Sequence, residues 1–196
     1  MASHSEAAAV VIPVRSFAGA KARLAPTLDE AEREALARAM ADAVITAARS
    51  HPIVVVTSAP EVHAWATAHD AHVIDDPGSL DAAAAAGRAW ASARGLARYV
   101  VAHADLPFAS SFEEIAGDGA APVAVIVADH RGDGTPVLSL PTAAPFAFAY
   151  GPGSAARHAE EAARCGLEIR IVNDSRLGLD IDLPEDLAHL ERFTTR

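Results

Sequence analysis

The stretch VVIPV at residues 10–14 is a short, uncharged run rich in β-branched side chains, and the fold follows from how such runs recur. Similar runs stand at residues 53–56, 73–74 and 99–102, and the segments between them have the length and composition of helices. Continuous apolar strands that alternate with helices are typical of a mostly parallel sheet covered on both faces. The sequence therefore predicts an α/β fold.

Capping signals place the helices between these runs. Thr27 and Glu30 have the spacing of a capping box, which predicts that a long helix begins near Leu28. Pro60 fits the first turn of the following helix, and Gly166 fits the position just beyond the end of a later one. The helices predicted in this way lie at residues 28–49, from 60, 79–94, just after 111, 154–165 and 184–192.

The pattern changes in the second half of the chain. Residues 123–128 and 137–140 have the pattern of strands joined by a loop rather than a helix, which predicts an antiparallel insertion in a mixed sheet. Further strands are predicted at residues 167–172 and 179–183. Because no repeat or low-complexity linker interrupts the chain, we expect one domain over residues 1–196. In such sheets ligands bind beyond the carboxyl ends of the strands.

Composition argues against several classes of protein. The 196 residues are 51% hydrophobic and 21% charged, which is enough for a buried core. The net charge of −10 disfavours nucleic-acid binding, because phosphate backbones attract basic surfaces. A single cysteine, Cys165, excludes a disulfide within the chain and a cysteine-based zinc site. Residues 1–6 carry no basic leader and the apolar stretch 7–14 is too short to span a membrane, so we expect a cytoplasmic protein without a membrane partner.

Three cations follow the first predicted strand, in RSFAGAKARL at residues 15–24. Arg15, Lys21 and Arg23 stand among small residues. A loop of this kind lets backbone N–H groups approach a phosphate chain while the cations neutralise it. The segment lacks the signatures of the dinucleotide-binding and Walker-type phosphate loops. A solvated basic loop is the alternative interpretation.

Acidic residues follow two other predicted strands. Asp105 comes just after the run at residues 99–102, and a carboxylate in that apolar setting is costly unless it binds a partner. Asp180 and Asp182 alternate with apolar residues, so both point to one side and repel each other unless a cation lies between them. The three carboxylates could form a magnesium site that also binds nucleotide phosphates. The alternatives are that Asp105 caps a helix or a turn, and that Asp182 or Asp180 caps the helix predicted to begin at Pro184.

Two turns that contain glycine carry hydroxyl groups, DHRGDGT at residues 129–135 and YGPGS at residues 150–154. Thr135 and Ser154 could hold the two ends of a small phosphorylated acid, with Arg131 and Arg157 near enough to add positive charge. Helix capping is the alternative role of Ser154. Together with the cations and carboxylates, these groups suggest magnesium-assisted transfer of a nucleotidyl group, which needs positioning and charge neutralisation rather than a covalent nucleophile.

Short motifs in a specific order extend over nearly the whole chain. They are IPV, KARL, ADLP, GDGT, FAYGPGS with His158 after it, and DIDLPEDL, at residues 12–14, 21–24, 104–107, 132–135, 148–154 and 180–187. In this order they resemble the 2-phospho-L-lactate guanylyltransferases and their bacterial phosphoenolpyruvate-using relatives, which act in the biosynthesis of coenzyme F-420. The resemblance implies a single Rossmann-like three-layer α/β/α domain of the nucleotide-diphospho-sugar transferase type, with a mixed, mostly parallel sheet. It also implies that GTP and a small phosphorylated carboxylic acid give a guanylylated acid and pyrophosphate.

The resemblance further implies roles for individual residues. The catalytic set, facing the GTP phosphates and the metal, would be Lys21, Arg23 and Asp105. The residues that hold Mg²⁺ would be Asp105, Asp180 and Asp182. The residues that hold the phosphorylated acid would be Thr135, Gly151 and Ser154.

Three positions depart from the pattern of that family. Arg15 replaces the usual lysine and keeps its charge, so it joins the predicted substrate-binding set. Asp81 replaces the usual asparagine, and it could accept hydrogen bonds from the N–H groups of guanine. Pro136 replaces another asparagine, which removes a backbone donor and restricts Thr135 to extended conformations.

The leading hypothesis is therefore a GTP-dependent guanylyltransferase, with phosphoenolpyruvate first among the acceptors and 2-phospho-L-lactate and 3-phosphoglycerate left open. Asp81 and Pro136 keep open a nucleotidyltransferase of the same fold with another acceptor or nucleotide. A catalytically silent nucleotide-binding module is the third hypothesis. The sequence does not determine the oligomeric state, and a homodimer is left open.

Overall fold

The computed structural model describes residues 8–117 and 119–194, with residues 191–194 described by their backbone alone. The strands are β1 (Ala8–Pro13), β2 (Ile53–Val56), β3 (His72–Ile74), β4 (Arg98–Ala102), β5 (Val123–Val127), β6 (Val137–Pro141) and β7 (Glu168–Val172). The helices are α1 (Glu30–Ala47), α2 (Pro60–Ala68), α3 (Leu80–Ala93), α4 (Glu113–Ala116), α5 (Ser154–Arg164) and α6 (Leu187–Thr194). Short 3₁₀ turns lie at Ala22–Leu24 and Pro184–Asp186.

The strands of the described residues form one sheet in the order β3-β2-β1-β4-β6-β5-β7. Neighbouring strands are parallel except around β6, which runs antiparallel to β4 and to β5. This confirms the predicted mixed sheet with an antiparallel insertion. Because β1 lies between β2 and β4, the chain order reverses at β1, and such a switch point leaves a crevice beyond the carboxyl ends of the strands.

Alternation along the strands divides the core between the two faces of the sheet. On one face Val10 and Ile12 of β1 share a core with residues of α1, α2 and α4, and on the other face Val11 shares a core with residues of α3 and α5. The close approach of α3 to β1 depends on Gly87, because a Cβ atom built there would lie 2.2 Å from Val11 Cγ1. These layers confirm the predicted α/β/α sandwich. In the described part of the chain, no helix is both long enough and apolar enough to span a membrane.

The strand predicted at residues 179–183 is wrong, because this segment joins no sheet in the described chain. Leu179 and Ile181 are nevertheless buried, whereas Asp180 and Asp182 are only partly buried. The alternating sequence thus identified the buried side correctly. Alternation specifies a face, and it carries no information about a hydrogen-bonding partner.

The start of α1 also differs from the prediction. The capping box is formed by Asp29 and Glu32, whose side chains each accept the other's backbone N–H at 2.8 Å, so the helix begins at Glu30. Thr27 lies in a turn instead, where its N–H donates to Leu24 O at 2.9 Å. Both pairs satisfy the same motif, and the preceding turn decides which one is used.

Candidate active site

The loops that follow β1 and β4 bring charged side chains together, as the predicted parallel strands require. Lys21 Nζ donates to Asp105 Oδ2 at 2.7 Å and to Asp182 Oδ1 at 2.8 Å. Arg23 Nη1 lies 3.7 Å from Asp182 Oδ2 at the edge of the group. We call Lys21, Asp105 and Asp182 the charged cluster. Three residues predicted from separate motifs are therefore in direct contact.

Two clefts adjoin the charged cluster. The first has a volume of about 310 Å³, and its lining includes Arg15, Lys21 and Asp105. The second has a volume of about 370 Å³. Its lining includes the predicted residues Arg23, Thr135, Gly151, Ser154, Asp180 and Asp182. His103 lines both clefts, so the two spaces are neighbours.

Lys21 has an unusual backbone conformation. Its φ of 54° and ψ of 41° lie in the left-handed region, which residues with a Cβ atom rarely occupy unless their surroundings hold them there. The side chain is only 11% exposed. Burial favours the neutral amine, but the negative charges of Asp105 and Asp182 outweigh it and raise the pKa of Lys21. Lys21 is therefore a cation held in place at the junction of the clefts.

The carboxylates near this lysine differ in their electrostatics. Burial opposes ionisation of Asp105, but the Lys21 ammonium outweighs it and holds the pKa of Asp105 below its ordinary value. Burial and then the negative charge of Asp105 raise the pKa of Asp180 to about 6. The Oδ1 atoms of Asp105 and Asp180 are both buried without a hydrogen-bond partner. A bound cation would satisfy these atoms and relieve the repulsion.

The predicted hydroxyl groups meet where β6 begins and α5 begins. Ser154 Oγ donates to Thr135 Oγ1 at 3.2 Å, and both residues are buried. His158, one turn further along α5, places Nδ1 3.1 Å from the same oxygen. Ser154 is the first residue of α5 and Gly153 is its N-cap, so the alternative in which Ser154 caps the helix is wrong.

The loop before α5 shapes one wall of the second cleft. Gly151 lies in this wall with a φ of 103°, a conformation that L-residues rarely adopt. The Arg157 guanidinium donates to the carbonyl oxygens of Ala149, at 2.8 Å, and of Pro152. The arginine therefore braces this loop from outside.

A second buried group lies beside the carboxylates, and the sequence analysis did not identify it. Asp186 is 1% exposed, and its Oδ2 accepts the backbone N–H groups of residues 182 and 183. Its Oδ1 lies 2.6 Å from Arg131 Nη2 and 3.4 Å from His130 Nε2. His130 Nδ1 in turn lies 3.5 Å from Asp180 Oδ1. Asp186 thus caps the turn after Asp182, and Arg131, expected to add charge near the acid, is paired with Asp186.

The two residues that depart from the family pattern on the nucleotide side each have a backbone partner of their own. Arg15 lines the first cleft, where its Nη2 donates to Gly78 O at 3.3 Å. Asp81 lies in the first turn of α3, and its Oδ1 accepts the backbone N–H of Tyr150 at 2.8 Å. Its neighbour Leu80, rather than Asp81, lines the first cleft. Contact between Asp81 and a base stays a prediction.

A sequence model of the family described as guanylyl transferase CofC like matches residues 8–192. The chain belongs to this guanylyl transferase family. Among its relatives, the phosphoenolpyruvate guanylyltransferase of Rubrobacter xylanophilus is 35% identical over 92% of each chain. The 2-phospho-L-lactate guanylyltransferase of Methanothermobacter thermautotrophicus is 29% identical over 92% of this chain and 82% of its own. The 3-phospho-D-glycerate guanylyltransferase of Phenylobacterium zucineum is 33% identical over 94% of this chain and 90% of its own.

Solved structures with the same fold as this chain include two transferases. A proposed nucleotide-diphospho-sugar transferase from Desulfovibrio desulfuricans superposes with a TM-score of 0.77 over 96% of this chain and 88% of that chain, at 16% identity. A nucleotidyl transferase from Methanothermobacter superposes with a TM-score of 0.67 over 96% of this chain and 98% of that chain, at 18% identity. The predicted fold class is confirmed.

Proposed function

We propose that this guanylyltransferase transfers GMP from GTP onto phosphoenolpyruvate, with release of pyrophosphate, in the formation of coenzyme F-420. The observation that carries the proposal is the charged cluster itself, which adjoins two neighbouring clefts. One cleft is lined by cations of a phosphate-type loop and the other by hydroxyl groups. In phosphoryl transfer the attacking and leaving oxygens lie on opposite sides of the phosphorus, so two spaces that meet at a cationic centre suit the reaction.

The first cleft is the proposed GTP site. Arg15 and Lys21 place positive charge in its wall, and Arg23 stands at the edge of the charged cluster. Cations at these positions would offset the negative charge that develops on the departing pyrophosphate. Asp81, the neighbour of Leu80 in this cleft, is retained as the proposed acceptor for the N–H groups of guanine.

The carboxylates fit a magnesium ion. Mg²⁺ is commonly held by one or two carboxylates together with substrate phosphates and waters. Asp105 and Asp180 each offer a buried oxygen without a hydrogen-bond partner, and Asp182 lines the same cleft as Asp180. Within the described ranges, no three His, Cys, Asp or Glu side chains form a complete ligand cluster, so nucleotide phosphates would supply the remaining ligands. When bound, the ion would neutralise charge at the transferred phosphorus.

The second cleft is the proposed site of the phosphorylated acid. Thr135 would donate a hydroxyl hydrogen bond to it, Ser154 would lie beside it in the wall of the cleft, and Gly151 leaves space where a side chain would intrude. In the proposed reaction a phosphate oxygen of the acid attacks the α-phosphorus of GTP. The bond between that phosphorus and the bridging oxygen to the β-phosphate breaks, and its electron pair leaves with pyrophosphate. The attacking oxygen is already anionic, so the chain's own residues need only position it and remove no proton.

Phosphoenolpyruvate is the proposed acceptor because the Rubrobacter xylanophilus relative, at 35% identity, is named for it.

To test the proposed function, the purified protein is incubated with GTP, Mg²⁺ and either phosphoenolpyruvate, 2-phospho-L-lactate or 3-phospho-D-glycerate. Pyrophosphate release and the mass of the guanylylated acid are then measured. We expect the highest kcat/KM with phosphoenolpyruvate and much lower rates with ATP, CTP or UTP. Equal rates with all four nucleotides, or pyrophosphate release without a guanylylated acid, would contradict the proposal.

A further inference from the structure

His158 is a fully buried side chain to which the proposed reaction gives no role. It is 0% exposed and lies on α5, one turn after Ser154. Tyr150 packs edge-on against its ring, with the ring centroids 4.7 Å apart, and Phe146 lies 5.6 Å away. This packing holds the ring in one orientation, in which its two nitrogens face different partners.

The partner of Nε2 determines which nitrogen carries the hydrogen. The backbone N–H of Ala149 donates to His158 Nε2 at 3.1 Å, so this nitrogen accepts and carries no hydrogen. Burial lowers the pKa of His158 to about 4, so the ring is neutral near pH 7. A neutral imidazole without a hydrogen on Nε2 carries it on Nδ1. The nitrogen that faces Thr135 is therefore a donor.

Thr135 Oγ1 accepts this hydrogen at 3.1 Å, and it accepts a second one from Ser154 Oγ at 3.2 Å. A hydroxyl oxygen has two lone pairs and one hydrogen, so these two bonds leave Thr135 with only its own O–H to donate. Thr135 lines the second cleft. We propose that His158 is a positioning residue that turns the Thr135 hydroxyl hydrogen toward an anionic oxygen of the phosphorylated acid. This inference rests on the proposed function, which places the acid in that cleft.

The other tautomer would reverse the polarity of the cleft. With its hydrogen on Nε2, His158 would lose the bond to Ala149 and would accept the Thr135 hydrogen on Nδ1. Thr135 would then present lone pairs to a negatively charged substrate, which they repel. The backbone N–H of Ala149 thus acts through His158 and Thr135 on the ligand in the cleft.

Two substitutions separate the roles of the two ring nitrogens. The amide nitrogen of His158→Asn comes near the position of Nδ1 and can still donate to Thr135. The amide oxygen of His158→Gln comes near the position of Nε2 and can still accept from Ala149. We expect H158Q to raise the KM for the acid about tenfold to hundredfold, the usual cost of losing a hydrogen bond to a charged group. We expect H158N to keep an acid KM close to that of the parent protein, and both variants to keep the KM for GTP.

Thr135→Val provides the matched background, because it removes the hydroxyl at nearly constant volume. In that background H158Q should raise the acid KM no further. Equal increases in the Asn and Gln variants would show that His158 only supports the fold, and an unchanged acid KM in H158Q would also overturn the proposal.

The tautomer can be observed in the parent protein by two-bond ¹⁵N–¹H correlations of the histidine rings, with the signals lost in H158N identifying His158. Hydrogen on Nδ1 supports the proposal, and hydrogen on Nε2 overturns it whether or not the variants fold. Failure of the parent protein to guanylylate any acid contradicts the proposed function. Normal activity with hydrogen on Nε2 contradicts only the role of His158.

Discussion

Lys21 contributes to stability as well as to the proposed chemistry. Its ammonium group is the shared partner of Asp105 and Asp182, whose side chains are 22% and 41% exposed. Removing one member of a buried ion pair leaves the other charge poorly solvated and uncompensated. The contacts that hold Lys21 beside the first cleft thus also offset the free-energy cost of burying the Asp105 carboxylate.

Lys21→Met should lower the free energy of unfolding by about 3 kcal/mol at neutral pH, near the lower end for a broken buried pair because Asp182 is partly solvated. Arg23→Met is the matched control, since the Arg23 side chain is 73% exposed and its pair with Asp182 is longer. We expect a loss below about 1 kcal/mol for that variant. Urea unfolding of both variants gives the two values. A Lys21→Met protein as stable as the parent would show that the pairs contribute nothing.

The reversed strand β6 explains how the hydroxyl groups reach the carboxylates. Its antiparallel pairing places Val137, at its amino end, opposite Ala102, at the carboxyl end of β4. His103 N extends this pairing by donating to Pro136 O at 2.9 Å. Thr135 therefore lies at the same edge of the sheet as Asp105, which a parallel strand in this position would not achieve.

The contact between α3 and β1 gives a test of the layered packing. Gly87→Ala should destabilise the fold by about 1–3 kcal/mol despite the higher helix propensity of alanine, because the added methyl overlaps Val11 within the core. Val11→Ala removes the two Cγ atoms that the new methyl would overlap most, so G87A should cost much less in the V11A background. Ser92→Ala, on an exposed part of α3, is the control and should change stability little. Additive losses in the double variant would contradict this packing.

Charge is unevenly distributed over the protein. The chain carries a net charge of −10, yet both proposed substrates are anions. Arg15, Lys21 and Arg23 come from one ten-residue loop. Arg15 and Lys21 line the first cleft beside the carboxylate of Asp105, and Arg23 lines the second cleft. The first cleft therefore has a local excess of positive charge despite the sign of the total, because nearby charges act more strongly than distant screened ones. The second cleft has more carboxylates than cations, and the proposed Mg²⁺ would offset them.

Nucleotide binding by the intact protein should depend on this site as a unit. At a concentration about 100 times the Kd of GTP, GTP with Mg²⁺ should stabilise the fold by about 2.7 kcal/mol. At the same concentration, ATP, CTP or UTP, and GTP without the ion, should stabilise it less.

Asp105→Asn and Asp180→Asn should abolish turnover and remove the Mg²⁺-dependent part of the shift in Tm while the protein stays folded. Asp75→Asn, at an exposed carboxylate outside both clefts, is the control. Thermal unfolding measures each shift in Tm, and pyrophosphate release measures turnover. Near-normal turnover in both site variants would refute the assigned metal ligands.

Much of the fold and part of the site follow from local patterns. Strands buried on both faces show continuous apolar runs, so the strands near residues 10–14, 53–56 and 99–102 could be predicted. Parallel strands end at one edge, so Lys21 and Asp105 could be placed together before any contact was known. Both inferences use only periodicity and the position of a residue relative to a strand.

Tertiary structure alone decided the contacts that complete the site. Asp186 meets Arg131 across 55 positions of sequence, and His158 meets Thr135 across 23. The segment at residues 179–183 shows the same limit, since it alternates like a strand and pairs with none in the described chain. A periodic pattern reports which side of a segment is buried. A hydrogen bond or an ion pair also requires two remote groups to meet at a particular distance and angle, and only the packing of helices and strands determines that.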